Sequence, residues 1–384
     1  MRRAAPPPVA MLETSQRRRW RDADPFMPIT TLLLIAFGLV AIYTADNRDL
    51  GPSSLVFHQA LYVVVGLVLM VTLAAIDYRL LRSLAAPLYL GALLLIVLVI
   101  PFGTWSGGAK RWFDLRVVWL QPSEPGKIAL IVALAAFVAT RGVKMRSPIN
   151  YALTGILAAI PAVLVFREPD LGTSLVFVAI WCGIIVASRT RLLYLLGSVL
   201  AAVPVVYLAW HYPRRHPIIQ DYQKSRLIAF LDPSQDVQGQ GFNILQARYA
   251  IGQAGLLGHR FSDTAHNDLQ LLAVKTTDFA FAHAIGNFGF VGAVALFTLF
   301  MLLLWRYLRV ARLARDDFGQ LIAMGAAAML FFQAFVNIGM NEGILPVTGI
   351  PLPFISYGGS PLITLLALQG ILQSVLMHRE KLTF

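Results

Sequence analysis

The sequence has few charged residues and almost no cysteine. Charged side chains make up 14% of its 384 residues and hydrophobic side chains 57%, whereas about 25% of residues are charged in soluble domains. A soluble fold of this length does not need so much apolar surface, so the composition predicts an integral membrane protein with one polytopic domain. The single cysteine, Cys182, excludes a disulfide within the chain and leaves the redox compartment open.

Acidic residues are also scarce. Asp and Glu number 20 against 32 Lys and Arg, which gives a net charge of +12. In a soluble protein this excess would suggest a nucleic-acid partner, but in a membrane protein it is first a question of topology. Residues 1–25 are rich in Pro and Arg and predict a disordered cytoplasmic tail. No cleavable signal peptide is expected, because the first apolar run has the length of a full span.

Apolar runs of about the 20 residues that a membrane-spanning helix requires recur along the rest of the chain. They predict an all-α polytopic protein with about ten transmembrane helices in a single domain, 26–384. The runs lie near 26–45, 56–76, 83–101, 126–141, 149–166, 172–188, 191–210, 279–304, 319–340 and 359–378.

The positions of Lys and Arg predict the orientation of these spans. If the N-terminal tail is cytoplasmic, every short inside loop is basic and both termini lie inside. The basic residues of those loops are Arg79, Arg82, Arg141, Lys144, Arg146, Arg189, Arg191, Arg306, Arg309, Arg312, Arg315, Arg379 and Lys381. Residues 211–278, between spans seven and eight, then form a large extracellular loop. Topology explains much of the positive charge, so no nucleic-acid partner is expected.

A carboxylate stands where this polar loop meets an apolar run. Asp278 directly precedes residues 279–304. A carboxylate at this junction is costly to desolvate in lipid, so we expect it to face a protein cavity or water. Its pKa can then rise toward the range of a general base. The simpler alternative is a helix N-cap, a position that Asp favours, and the junction alone leaves both open.

Two shorter outward segments also carry charges. Residues 102–125 have an apolar middle that suits an interfacial or re-entrant element. At their end, Glu124 and Lys127 are three residues apart at a helix start, where they would pair as neighbours on one face. The turn 166–173 contains Asp170, for which the simple interpretation is an N-cap with a surface ion pair.

Residues 341–358 are apolar yet rich in Pro and Gly, so they cannot be helical throughout. Their backbone polar groups must be buried in protein or line a wet cavity, which favours a re-entrant loop over a simple hairpin. Within 211–278, helical spacing over Ile244–Gly258 predicts an amphipathic helix on the membrane or on other loops. The basic residues of this loop, Arg214, Arg215, Lys224 and Arg226, suit phosphate binding or an ordinary solvated face.

Several blocks together resemble the SEDS family (shape, elongation, division and sporulation). They are Gly108-Ala109-Lys110-Arg111-Trp112, Gln121-Pro122-Ser123-Glu124 with Lys127, Glu168-Pro169-Asp170-Leu171-Gly172-Thr173, Thr277-Asp278-Phe279, and Leu345-Pro346-Val347-Thr348-Gly349 through Pro353-Phe354-Ile355-Ser356-Tyr357-Gly358-Gly359-Ser360. Their order and separation also match, over nearly the whole chain. Residues 221–227 and 230–233 look more like the RodA branch than the FtsW branch.

This resemblance implies a peptidoglycan glycosyltransferase of the cytoplasmic membrane. Such enzymes polymerise lipid II at the outer face of that membrane, for cell elongation and shape in the RodA branch. They work with a class B penicillin-binding protein, a transpeptidase, and with other membrane proteins of the elongation complex. By position, Asp278 matches the family's essential aspartate. Lys127, Glu124, Arg111 and Asp170 match charged residues of its cavity.

The implied chemistry assigns further roles. Asp278 would be the general base, and Lys127 and Arg111 would hold the departing pyrophosphate, with Lys110 or Arg226 as substitutes. Ser356 is a further expected substrate-binding residue. Glu124 and Asp170 would orient these cations or bind a divalent ion, most simply Mg²⁺, which prefers carboxylates and phosphate oxygens.

The sequence departs from the family pattern around the aspartate. Ala273-Val274 stand where the family usually has Pro-Glu, and Ile285-Gly286-Asn287 where it often has Gly-Glu-Glu. Lys275 would lower the pKa of Asp278 if the two side chains approach. Two alternative functions are therefore kept: a lipid II flippase, since broken segments and intramembrane charges also fit a transport path, and a weakly active scaffold of the cell-wall complex.

Overall fold

The structure is a computed structural model that describes residues 20, 22–46, 49–106, 109–114, 119–211, 221–233, 239–258 and 276–379. Its helices are α1 Phe26–Ala45, α2 Leu55–Ala75, α3 Leu80–Ser83, α4 Ala85–Phe102, α5 Ser123–Arg141, α6 Pro148–Arg167, α7 Leu171–Ala187, α8 Leu192–His211, α9 Asp221–Leu231, α10 Gln240–Gln253, α11 Ala280–Leu313, α12 Asp317–Asn341 and α13 Gly359–Met377. A 3-10 turn over Gly142–Arg146 follows α5.

Helices coincide with all ten predicted apolar runs. Eight of them, α1, α2, α4, α5, α6, α11, α12 and α13, are long and apolar enough to cross a membrane, whereas α7 and the apolar part of α8 are shorter. The run predicted over 126–141 belongs to a longer helical stretch of 24 residues, Ser123–Arg146. It is longer because residues 123–125 already form the first turn of α5 and the 3-10 turn Gly142–Arg146 follows its end.

The expectation of a purely α-helical fold missed a small sheet. Strands β1 Thr104–Ser106, β2 Ala109–Asp114 and β3 Trp119–Leu120 form an antiparallel sheet in the order β1-β2-β3. Ser106 pairs with Ala109, so β1 and β2 are neighbours both along the chain and in the sheet. The segment predicted as interfacial therefore presents β2, which carries Lys110 and Arg111.

Helices α12 and α13 are the most buried of the eight long apolar helices. Buried residues make up 89% of the most apolar stretch of α13 and 67% of that of α12, but only 17% of that of α2. Helix α2 packs along α13, and α11 packs on α12 and on α1. The outer helices thus present apolar faces suited to lipid, and the inner ones hold the polar groups.

A buried ion pair holds the beginning of α1. Asp24, which composition assigned to the disordered tail, is buried and accepts hydrogen bonds from the Arg306 guanidinium of α11. The Gln373 side chain of α13 bonds both the main-chain N–H and the carbonyl of Asp24. A charge buried at this depth needs such partners, so the folded domain begins before Phe26.

Helix α11 is interrupted near its start. Gly289 has φ 68° and ψ −163°, a conformation that is essentially restricted to glycine. At this break, Phe290 and Val291 donate their main-chain N–H groups to the carbonyls of Gly255 and Leu256. The first two turns of α11 are almost entirely buried in protein, so this part of the predicted span does not face lipid.

The amphipathic helix of the outer loop is α10, which ends at Gln253 rather than at Gly258 because residues 254–258 turn toward the break in α11. Its buried side chains Ile244 and Ala247 pack against Phe279, Met340 and Val347. Helix α10 therefore lies on other parts of the protein, one of the two predicted locations.

Residues 342–358 contain neither helix nor strand. Most side chains from Val347 to Ser356 are nevertheless buried. The prediction of irregular backbone held within protein is confirmed.

Candidate functional site

Asp278 lies in the turn just before α11. The N-cap of that helix is Phe279, and no side chain caps it, so the simple N-cap alternative for Asp278 is wrong. The carboxylate is half-buried and lies beside Gly349, which has φ 75°. A Cβ on Gly349 would be 3.6 Å from Asp278 Oδ2 and 3.9 Å from Arg226 Nη1. We call this space, bordered by Asp278, Arg226 and Gly349, the notch.

The surroundings of Asp278 raise its pKa above its ordinary value. Burial is the main cause, and the negative charge of Asp170 adds to it. Arg226 is the strongest opposing influence, followed by a hydrogen bond from Thr277 and the charge of Arg111. A carboxyl whose pKa is raised in this way is a stronger base than an exposed one, and it lies within the electrostatic reach of two cations.

Three consecutive carbonyl groups hold the backbone at Asp278. The carbonyl of Thr276 accepts the Tyr357 N–H at 2.8 Å, and that of Thr277 accepts the Ser356 hydroxyl at 2.6 Å. The carbonyl of Asp278 itself accepts two side-chain amides of α12, from Asn337 and Asn341, at 3.1 Å each.

Arg226 reaches the notch from α9. Its Nη1 donates to the carbonyl of Thr348 at 3.2 Å, which places the guanidinium next to Gly349. From the sequence, Arg226 is expected only as a substitute for Lys127 and Arg111 in binding the pyrophosphate. In the structure it is the cation with the largest effect on the pKa of Asp278. Of the other basic residues named for this loop, Lys224 lies in α9 like Arg226, whereas Arg214 and Arg215 lie outside the described residues, as does Lys275.

Arg111 and Asp170 form a second charged group. Arg111 donates to the carbonyls of Glu168 and Pro169 at 3.0 and 2.8 Å, and its Nη1 lies 3.7 Å from Asp170 Oδ2. Asp170 caps α7 by accepting the Thr173 N–H, so the simple interpretation of this turn is correct in part. Strand β2 thus fastens the turn between α6 and α7.

Gln121 connects this group to the start of α5. Its side-chain amide donates to Asp170 Oδ2 at 3.1 Å, and its main-chain N–H donates to Ser360 of α13. One turn further on, Lys127 Nζ donates to Glu124 Oε1 at 2.7 Å, and both side chains are almost completely buried. The predicted pairing of Glu124 and Lys127 is confirmed.

Lys110 and Ser356 are placed differently from the charged residues above. Lys110 precedes Arg111 in β2, and successive side chains of a strand point to opposite faces, so the two side chains are expected on different faces of the sheet. The Ser356 hydroxyl donates to the Thr277 carbonyl and accepts the Leu352 N–H at 2.9 Å. In this structure it bonds protein backbone, and substrate binding by either residue stays a prediction.

Of the two sites where the sequence departs from the family pattern, the structure describes only the one at Asn287. Ala273-Val274 lie outside the described residues. Asn287 is buried, and its side-chain amide donates to Thr44 of α1 at 3.3 Å and to the carbonyl of His283 at 2.9 Å. The side chain at this position therefore fastens the first turns of α11 to α1.

Sequence reasoning missed the contribution of Asn337, Asn341 and Gly349. One signal was present: Asn337 and Asn341 are four residues apart in an apolar helix and so share a face, and polar side chains inside membrane helices generally bond a neighbouring element. Gly349 had no comparable signal, because only the folded chain brings it beside Asp278.

Both predicted metal ligands, Glu124 and Asp170, have hydrogen-bond partners within the protein. Glu124 is bonded to Lys127, and Asp170 accepts from Thr173 and Gln121. Across the described part of the chain, no three His, Cys, Asp or Glu side chains are grouped as metal ligands. These two carboxylates do not form a ready-made metal centre.

Known proteins share this architecture. The FtsW, RodA and SpoVE family model, described as "Cell cycle protein", matches residues 25–381. "Peptidoglycan glycosyltransferase MrdB" of Escherichia coli is 38% identical over 362 residues, covering 94% of this chain and 95% of that protein. "Probable peptidoglycan glycosyltransferase FtsW" of Geobacter metallireducens is 34% identical over 358 residues, covering 90% and 92%.

Solved structures agree. A chain described under "Structural coordination of polymerization and crosslinking by a peptidoglycan synthase complex" superposes with a TM-score of 0.79 at 30% identity, covering 93% of this chain and 99% of that one. The "Rod shape determining protein RodA" of Thermus thermophilus superposes with a TM-score of 0.67 at 28% identity, covering 94% and 98%. Sequence, fold and family model agree, and the chain belongs to the SEDS family of FtsW, RodA and SpoVE.

Proposed function

We propose that this protein is a peptidoglycan glycosyltransferase that polymerises lipid II into glycan strands, for cell elongation and shape, with Asp278 as general base. The observation that carries the proposal is the notch, where a half-buried carboxylate with a raised pKa lies beside a guanidinium. The names of relatives that cover nearly the whole chain support the same activity.

The reaction joins the 4-hydroxyl of one GlcNAc to the anomeric carbon of a MurNAc. Asp278 takes the hydroxyl proton as the new C–O bond forms, and the bond from the anomeric carbon to the lipid pyrophosphate breaks. A positioned base accelerates such a step typically by about 10²- to 10⁴-fold. The raised pKa of Asp278 supports this role, because a general base works best when its pKa is close to the working pH.

The departing pyrophosphate needs positive charge. Arg226 and Arg111 are the cations whose charges lower the pKa of Asp278. Their influence on the proposed base supports them as the residues that bind the pyrophosphate. Lys127 was the first expectation, but its amine is buried against Glu124. Contact with a phosphate would require the substrate to reach an amine that is almost completely buried. Lys110 has less support, since the cations that act on the pKa of Asp278 are Arg226 and Arg111.

An apolar cavity of about 690 Å³ supports a route for the lipid tails. It lies between α2, α4, α5 and α13 and is lined mainly by leucine, isoleucine and alanine side chains. Leu120 and Ser360 border it, and Ser360 accepts the main-chain N–H of Gln121, whose side chain bonds Asp170. A lipid held there would bring its head group toward the Arg111 and Asp170 group.

The proposal places this chemistry at the outer face of the cytoplasmic membrane, with about ten spans and both termini inside. The basic short loops support this orientation. A class B penicillin-binding protein is the proposed partner, together with other membrane proteins of the elongation complex. The penicillin-binding partner is supported by the superposition on a chain from a peptidoglycan synthase complex that coordinates polymerisation and crosslinking.

A divalent cation, in the first place Mg²⁺, stays a proposal. Asp170 and one oxygen of Glu124 are already bonded within the protein, so such an ion would also need oxygens of the substrate. Mg²⁺ is often held by one or two carboxylates together with substrate phosphates. Polymerisation that continues unchanged in EDTA would contradict its involvement.

Asp278→Asn tests the proposed function. The amide keeps the size of the side chain and removes the base, so strand synthesis from lipid II by the purified protein with its partner should fall about 10²-fold or more, to background. The amount of polymer is measured by gel electrophoresis of the glycan strands. Asp317→Asn, which changes an exposed carboxylate at the start of α12, is the matched control and should retain full activity.

Near-normal synthesis by Asp278→Asn would remove the aspartate from the chemistry. Movement of labelled lipid II across a liposome membrane by the wild-type protein, without any polymer being formed, would favour the flippase alternative instead.

A further inference from the structure

We infer that Asn337 and Asn341 of α12 are positioning residues that hold Asp278 at the notch, an inference that rests on the proposed function of Asp278. Neither side chain is accessible to solvent, since both have 0% relative exposure. Neither borders the notch by a contact of its own, and both act through the main chain of Asp278 and its neighbours.

Asn337 joins the two sides of the notch. A side-chain amide has two N–H donors, and Asn337 Nδ2 donates to the carbonyl of Asp278 at 3.1 Å and to that of Ile350 at 2.7 Å. Ile350 directly follows Gly349. One rigid planar group therefore sets the separation between the residue that carries the base and the loop that faces it.

Asn341 fixes the direction in which the chain leaves Asp278. Its Nδ2 donates to the same carbonyl at 3.1 Å and to the main-chain carbonyl of Asn337 at 2.8 Å. Its Oδ1 accepts the N–H of Ala282, in the first turn of α11, at 3.1 Å. Both lone pairs of the Asp278 carbonyl are thus engaged, and the peptide plane after Asp278 cannot rotate without breaking a buried bond.

The consequence for catalysis is geometric. Displacement of a catalytic group by about 1 Å lowers rates by as much as about 10²-fold. Loss of the Asn337 amide removes the hydrogen bonds that connect Asp278 to the residue after Gly349. The carboxylate of Asp278 would remain present and half-buried, but its distance from Arg226 and from the substrate hydroxyl would no longer be fixed.

The test compares three variants of the full-length protein with its partner. Asn337→Leu keeps the approximate volume and removes both donors, and we expect kcat to fall about 10- to 100-fold with little change in KM. Asn337→Asp keeps the shape and at most one donor, so its kcat should be intermediate. Because a wider notch weakens the influence of Arg226, which lowers the pKa of Asp278, the acidic limb of the kcat profile should move to higher pH in both.

Gln333→Leu is the matched control. Gln333 lies one turn before Asn337 on the same helix and is buried, and its Oε1 has no hydrogen-bond partner. Removing its amide should leave kcat and the pH profile unchanged. Thermal unfolding of each variant in detergent shows whether a loss of activity is a loss of folded protein.

Wild-type kcat in Asn337→Asp, or an equal loss of activity in Gln333→Leu, would overturn the inference. Failure of the proposed function is a separate result, because it requires an active Asp278→Asn variant. An inactive Asp278→Asn together with unchanged Asn337 variants would reject the positioning role alone.

Discussion

At the scale of single residues, Glu168 is a buried acid that the proposed reaction does not use. It lies in the turn between α6 and α7 and is 5% exposed, and its Oε1 has no hydrogen-bond partner. Burial, followed by the charge of Asp170, raises the pKa of Glu168 to about 8, against the lowering influence of Arg111. The side chain is therefore largely neutral at pH 7, and Arg111 remains engaged with Asp170.

This shift predicts how stability depends on pH. Between the ordinary pKa of a glutamate and about 8, the folded protein binds a proton at Glu168 that the unfolded chain has released. The stability that this proton gives is fully present below about pH 4.5 and is lost as pH rises through 8. Glu168→Gln has no such proton, so it should melt close to the wild type at pH 5 and at a higher temperature than the wild type at pH 8.5.

The measurement is the thermal unfolding temperature in detergent across this pH range. Asp317→Asn, on an exposed carboxylate, is the comparison and should follow the wild type at every pH. Parallel curves for the wild type and Glu168→Gln would show that Glu168 is ionised throughout the range.

At the scale of elements, the break in α11 determines where Asp278 lies. If the helix were continuous at Gly289, the residues before Gly289 would lie on the same straight axis as the residues after it. The break instead lets residues 254–258 bond the N–H groups of Phe290 and Val291. Helix α10, which continues into that segment, is thereby held against Phe279, next to Asp278.

Gly289→Ala tests this dependence. A Cβ at Gly289 would meet main-chain atoms of Gly258 and Leu256, and φ 68° with ψ −163° is a conformation that costs other residues about 1–3 kcal/mol. The variant should unfold at a clearly lower temperature and lose polymerisation activity, because the contact between α10 and the turn at Asp278 is displaced.

Gly255→Ala is the matched control for this element. Gly255 also has a positive φ, 60°, but among the described residues no atom of a neighbouring segment lies within 4 Å of a Cβ built on it. It carries the backbone penalty without the steric contact, so its melting temperature should fall less. Equal effects of the two substitutions would mean that the close approach at Gly289 does not matter.

At the scale of the whole molecule, the orientation in the membrane decides whether the notch faces the outside. Cys182 is the only cysteine, so a Cys182→Ala background gives a thiol-free protein. Two exposed positions report on opposite sides: Lys144, in the turn after α5, and Gln253, at the end of α10. With basic loops inside, a membrane-impermeant thiol reagent should label Gln253→Cys in right-side-out vesicles.

Lys144→Cys should react in the same vesicles only after they are permeabilised. Labelling of both cysteines is followed by a mass shift of the protein on a gel. Labelling of Lys144→Cys in sealed vesicles, with Gln253→Cys protected, would invert the proposed topology and place Asp278 on the cytoplasmic side.

The sequence by itself determined the class of protein, the positions of the helices and the residues worth testing. Apolar runs of sufficient length predict helices regardless of their neighbours, because backbone groups in lipid must be bonded within the helix. For the same reason, the Pro- and Gly-rich segment 341–358 could be predicted to lie within protein. The pairing of Glu124 with Lys127 followed from helical spacing alone.

Only the tertiary structure decided which of these residues meet. Asp278, Arg226 and Gly349 come from three separate parts of the chain, and their approach depends on α10 covering the turn, on the break at Gly289 and on the amide of Asn337. Local sequence patterns do not predict these contacts, because each contact joins elements that are far apart in the sequence. Whether a carboxylate near a helix start caps that helix or borders a notch is settled by where its neighbours lie once the chain is folded.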